Sequence, residues 1–152
     1  MFWFFLVVKG EGFTAKELTI QNTAWQANHQ VIAVSVQAEN VAFYRCKFNG
    51  YQDTIYYNSG KQFYCESIIE GTIDFIFGYS NALFQKYLIL VKKPMANQVN
   101  IITTDGRKTK RTNMSLSIQS CTDWRVQCIL LFPDDLGENN LPLPSSIVIW
   151  DV

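Results

Sequence analysis

Two short blocks in this chain carry the same residue types in the same order. They are Gly50-Tyr51-Gln52-Asp53-Thr54-Ile55-Tyr56 and Gly71-Thr72-Ile73-Asp74-Phe75-Ile76-Phe77. Glycine, aspartate, isoleucine and an aromatic recur at equal offsets, with the blocks beginning at residues 50 and 71, a spacing of 21. If equivalent residues stack one strand spacing apart, about 4.8 Å, Asp53 and Asp74 face each other at close range. Two such carboxylates cannot both ionise without penalty, so their proton affinities split. One becomes a nucleophile or base and the other a proton donor. Gln30 precedes Gln52 by 22 residues, which places a second amide one repeat earlier beside the same pair. Amide N–H groups next to carboxylates are what a developing oxyanion requires. Gln52 and Asp53 are adjacent, and neighbours on an ideal strand point to opposite faces, so a bend must intervene. The same residues also admit a plainer account: stacked polar ladders, or aspartates that cap their own turns. Calcium between the aspartates is a further alternative, but too few oxygen ligands accompany them, and no metal site is expected.

The elements that would position these residues are short strands broken by Gly, Asn and Asp. Polar and apolar residues alternate through Glu17 to Gln21, Val41 to Cys46 and Ser115 to Gln119, and strand-like runs cover Gly71 to Phe77 and Tyr87 to Val91. Amphipathic helical patterns are absent. Phe43, Phe63 and Phe84 keep nearly the same beat as the two blocks. A period in the low twenties built from strands and turns predicts an all-β solenoid, whose coils enclose a core that no single coil can bury.

Composition agrees. The chain has 152 residues, 48% hydrophobic and 17% charged, which suits one packed domain and excludes wholesale disorder. Thirteen basic residues balance thirteen acidic ones, so neither nucleic acid nor a membrane is an expected partner. The opening Met1 to Val8 is apolar, but it lacks a basic flank and a small-residue cleavage site, and reads as a buried strand before a signal peptide. Cys46, Cys65, Cys121 and Cys128 form no CxxC pair and His29 is the only histidine, which argues against zinc. Disulfides and half-buried thiols both remain open.

At these residues the chain resembles the pectinesterase (pectin methylesterase) family, particularly its plant members. The resemblance runs through Gly10 to Lys16, Gln21 to Ala24, His29 to Val34, Ala42 to Cys46, Gly50 to Tyr56, Gln62 to Tyr64 and Gly71 to Gly78. It continues weakly through Lys93-Pro94 and Asp105-Gly106-Arg107 to Cys121. It implies a right-handed, single-stranded parallel β-helix, here incomplete, over residues 1–122, with a divergent tail over 123–152. It implies hydrolysis of methyl esters in cell-wall pectin, with Asp74 as nucleophile, Asp53 as general acid/base, and Gln52 with Gln30 stabilising the tetrahedral intermediate. Tyr51 and Phe75, with Tyr79, are candidates for sugar-ring platforms, with core packing the alternative for most of them, and no cofactor is implied. Methyl-esterified galacturonan is the implied partner, a protein inhibitor a second one, and the extracellular cell wall the implied location.

One departure bears on activity. Family members carry a Leu-Gly-Arg-Pro-Trp block whose arginine pairs with the nucleophile. Here the best candidate is Leu136-Gly137-Glu138-Asn139-Asn140, in which a third carboxylate stands where the cation is expected; the alternative is that the tail from Thr122 onward is out-of-family sequence. Arg107, Lys108, Lys110 and Arg111 form the basic cluster of the chain, read first as a solvated loop. The rivals to an esterase are therefore a pectin-binding relic without activity and, more weakly, a glycosidase.

Overall fold

The computed structural model describes residues 3–24, 31–105 and 115–119. Each coil contributes one short strand to each of three faces. The first coil holds β1 (Trp3–Val8), β2 (Thr14–Lys16) and β3 (Thr19–Gln21), and the second β4 (Val31–Gln37), β5 (Val41–Tyr44) and β6 (Lys47–Asn49). The third holds β7 (Ile55–Ser59), β8 (Lys61–Cys65) and β9 (Ile68–Gly71), and the fourth β10 (Ile73–Gly78), β11 (Asn81–Gln85) and β12 (Leu88–Val91). The fifth adds β13 (Ile101–Asp105) and β14 (Ser115–Gln119). The faces are three parallel sheets, ordered β1-β4-β7-β10-β13, β2-β5-β8-β11-β14 and β3-β6-β9-β12. The chain is thus a parallel β-helix, and the apolar segment after Met1 is its first described strand, paired with β4.

Inward positions fill with apolar side chains because period-two alternation sends every second residue to the interior. Phe43, Tyr64 and Phe84 form a buried stack, with centroids 5.2 Å and 4.3 Å apart and planes within 8° and 3°. Each such contact adds about 0.5–1.5 kcal/mol beyond area burial. The middle member is Tyr64, not Phe63 as the spacing suggested. Phe63 pairs with Ala42 and Leu83 and is 36% exposed. The beat was one residue out, and on a strand one residue is the difference between core and solvent.

The corner between the second and third sheets is made the same way in four coils. Glu17, Arg45, Glu66 and Lys86 all have left-handed backbone, with φ between 48° and 54°. Left-handed conformation costs a non-glycine residue roughly 1–2 kcal/mol. Each of these corner amides donates to a carbonyl in the next coil, Glu17 to Tyr44 and Arg45 to Cys65, Glu66 to Gln85 and Lys86 to Gln119, which offsets that cost. Cys46, just past one corner, is a buried thiol that donates to the Ala15 carbonyl. Cys121, Cys128 and the domain boundary expected after residue 122 lie outside the described residues.

Candidate active site

Asp53 sits two residues before β7, and Asp74 is the second residue of β10. These strands pair in parallel with Ile55 opposite Ile76 and Tyr56 opposite Phe77, so the two aspartates occupy one position on successive coils. The Asp53 amide donates to the Ile73 carbonyl at 3.1 Å, and the Thr72 amide to the Tyr51 carbonyl at 2.9 Å. Both aspartates have left-handed backbone, φ 61° and 48°. The chain therefore bends at Asp53, where the Gln52–Asp53 adjacency called for a bend, and aspartate tolerates this conformation better than most residues.

The glycines that open the two blocks have a shared reason. A Cβ on Gly50 would stand 2.5 Å from the Thr54 hydroxyl, and one on Gly71 would stand 2.3 Å from the Phe75 Cβ. In each coil the residue four positions on fills the space a side chain would take. The Thr54 hydroxyl further bonds the carbonyls of Tyr51 and Glu70 at 3.3 Å each, tying one turn to the strand below the other.

The two carboxyls have different surroundings. Asp53 is 4% exposed, and burial first, then the charge of Asp74, raises its pKa to about 7. Asp74 is half-buried and accepts a hydrogen bond from the hydroxyl of Thr104 on β13. A neutral acid therefore stands beside a more accessible carboxylate, which is the division of labour that acid-assisted nucleophilic attack needs. Gln52 is half-buried between Tyr51 and Asp53. Gln30, Glu138 and the basic cluster at 107–111 lie outside the described residues.

Phase along β10 corrects one expected platform. Phe75 is fully buried, as is Ile76, because the left-handed turn at Asp74 interrupts the alternation and sends two consecutive side chains inward. Phe75 is a core residue with no surface for a sugar. The outward residues are Tyr56 and Phe77, whose rings stack at 4.6 Å with an interplanar angle of 2°. Tyr79, 40% exposed, meets Tyr56 edge-on at 6.1 Å. Phe77 is opposite Thr104 in the ladder, so this aromatic surface borders the Asp74 carboxylate. Tyr51 is half-buried and has the Lys92 ammonium 4.6 Å from its ring centroid. Sequence reasoning missed Tyr56, Phe77 and Thr104. The signal for the first two was present: they flank the inward Ile55 and Ile76 and repeat at the spacing of the aspartates.

Stacked three-stranded coils with aspartates paired at the starts of two neighbouring strands define a β-helical protein with a candidate carboxylate site. The Pectinesterase family model matches residues 5–127, and the chain belongs to that family. It is 50% identical over 115 residues to "Probable pectinesterase/pectinesterase inhibitor 25" of Arabidopsis thaliana, covering 76% of this chain and 19% of that protein. Among solved structures it is similar to pectin methylesterase from carrot, with TM-score 0.72 and 38% identity over 79% of this chain and 39% of that one. A pectin methylesterase solved in complex with a hexasaccharide matches with TM-score 0.64 and 25% identity, over 74% of this chain and 38% of that one. The chain thus spans about a fifth of the curated relative. The fold is the right-handed parallel β-helix of these enzymes.

Proposed function

We propose that this chain carries the aspartyl esterase chemistry of its family, directed at methyl esters of galacturonan. The observation that supports it best is the pairing of a buried, proton-holding Asp53 with an accessible Asp74 one coil away. In this reading an Asp74 carboxylate oxygen attacks the ester carbonyl. The tetrahedral oxyanion is met by the Gln52 amide, together with Gln30 as the family resemblance implies. Asp53 passes its proton to the methoxy oxygen, methanol departs, and an acyl–Asp74 anhydride remains. Asp53, now ionised, takes a proton from water as that water attacks the acyl carbonyl. Collapse frees Asp74 and a galacturonate carboxyl, and Asp53 is protonated again. Covalent catalysis divides one hard hydrolysis into two easier steps.

The stacked Tyr56 and Phe77 offer an apolar face beside this site on which a pyranose ring can lie. The hexasaccharide complex of the related enzyme supports a polysaccharide substrate. An extracellular, cell-wall setting follows from that substrate, and the relatives' compound names support an inhibitor domain or protein as a partner. Glu138 does not supply the arginine that holds the nucleophile in the family. Thr104 gives Asp74 one neutral donor in its place, so the reading includes a low rate. Losing a charged orienting group costs about 10²- to 10³-fold. Incubation with methylated pectin tests the reaction class: an esterase yields methanol and new carboxylates, a glycosidase yields new reducing ends, and a binding relic yields neither.

A further inference from the structure

Lys92 follows β12 on the fourth coil, yet its ammonium reaches the second. It donates to the side-chain oxygen of Asn49 and to the Gly50 carbonyl at 2.8 Å. It also lies 3.6 Å from the Glu70 carboxylate, whose other oxygen is 2.6 Å from Lys47. An ammonium has three N–H groups, and three oxygens surround this one. The side chains of Lys92 and Glu70 are only 17% and 11% exposed, so the pair is held in a poorly hydrated place. Burial there lowers the Lys92 pKa, with Glu70 opposing the shift.

The main chain of the same residue grips the other turn. The Lys92 amide donates to the Gly71 carbonyl at 2.8 Å. The Asn100 side-chain amide donates to the carbonyls of Lys92 at 3.0 Å and Thr72 at 2.9 Å. Gly50 opens the turn that leads to Gln52 and Asp53, and Gly71 opens the turn that leads to Asp74. One residue is therefore bonded to the start of both.

We propose that Lys92, with Glu70 as its counter-ion, is a positioning residue of the esterase site that fixes the turn carrying Gln52 and Asp53 against the turn carrying Asp74. This rests on the esterase reading above. A buried ion pair is weak as a source of stability, and its best-attested use is to fix one arrangement of the groups around it. Displacing a catalytic group by about 1 Å can cost up to about 10²-fold in rate.

The test compares the full chain with Lys92→Met, which keeps the length and loses the charge, and with Glu70→Gln. Two readouts are taken: amide hydrogen exchange, and kcat and KM for methanol release from methylated pectin. For Lys92→Met we expect the Gly50, Asp53 and Thr72 amides to exchange about 10-fold faster or more, while the Ile69 and Phe84 amides keep their rates. We expect kcat to fall by about 10-fold or more with KM within about twofold. Glu70→Gln should show the same local pattern more weakly. Unchanged exchange at the three turn amides overturns the proposal. So does a uniform rise across all three sheets, or a failure to fold, which would make Lys92 a general stabiliser. A rise in KM with kcat intact also overturns it. If the unmodified chain releases no methanol while Lys92→Met still shows the local exchange pattern, the esterase reading fails and the brace stands.

Discussion

Asp53 and Asp74 occupy equivalent places on successive coils, in the same left-handed backbone conformation, φ 61° and 48°. They nevertheless differ in burial, and in the proposed mechanism that difference gives them opposite roles. Asp53 is closed in and keeps its proton to about pH 7, while Asp74 stands further out, with the Thr104 hydroxyl on its carboxylate. The β-helix generates the pair by repetition, and the packing around each member sets it apart.

The first expected outcome is a pH-dependent stability cost at Asp53. The unfolded carboxyl ionises near its ordinary value of about 4, whereas the folded one holds its proton to about 7. Between these values the folded state binds more protons than the unfolded, so stability falls as pH rises from about 4 through about 7, and levels off above. Asp53→Asn should therefore raise the melting temperature at pH 8 relative to the parent and bring no such gain at pH 4. An equal shift at both would remove the ionisation from the account.

Activity should follow the same group. In the proposed mechanism departure of methanol needs Asp53 protonated, so kcat is expected to decline above about pH 7, the value to which burial raises it. A methanol-release profile flat from pH 6 to roughly pH 9 would show that another group donates the proton.

Thr104→Val removes the hydroxyl that bonds Asp74 and keeps the shape. Hydrogen bonds to charged groups contribute about 1.5–3 kcal/mol, so kcat should drop by about 10-fold or more, and Thr104→Ser should restore most of it. Equal rates for Val and Thr would make the contact incidental.

Gly71→Ala would place a methyl group 2.3 Å from the Phe75 Cβ, in a fully buried position. Overpacking of this kind costs about 1–3 kcal/mol, to be read as a lower denaturant midpoint at unchanged slope. A neutral result would mean that Phe75 can withdraw into the core more freely than its packing suggests.

The architecture was legible because each coil repeats its predecessor: the 21-residue spacing between the aspartate blocks is the register in which β7 and β10 pair. The phase within a strand was harder. Phe63 keeps the beat of Phe43 and Phe84 to within one residue, yet it faces outward, and Phe75 faces inward because a single left-handed residue at Asp74 resets which side chains do so. The αL corners at Glu17, Arg45, Glu66 and Lys86 carry no glycine or asparagine to mark them. Lys92 was illegible for another reason: its oxygen partners Asn49 and Gly50 lie 43 and 42 residues away, and only the stacking of coils brings them together.

The central claim is that Asp74 is the nucleophile of a pectin methyl esterase. Methanol released from methylated pectin by the full chain and by Asp74→Asn, assayed together with new reducing ends, tests it most directly. The account predicts slow methanol release by the unmodified chain, loss of that release in Asp74→Asn, and no new reducing ends from either. Methanol release that survives Asp74→Asn, or reducing ends in place of methanol, would contradict it.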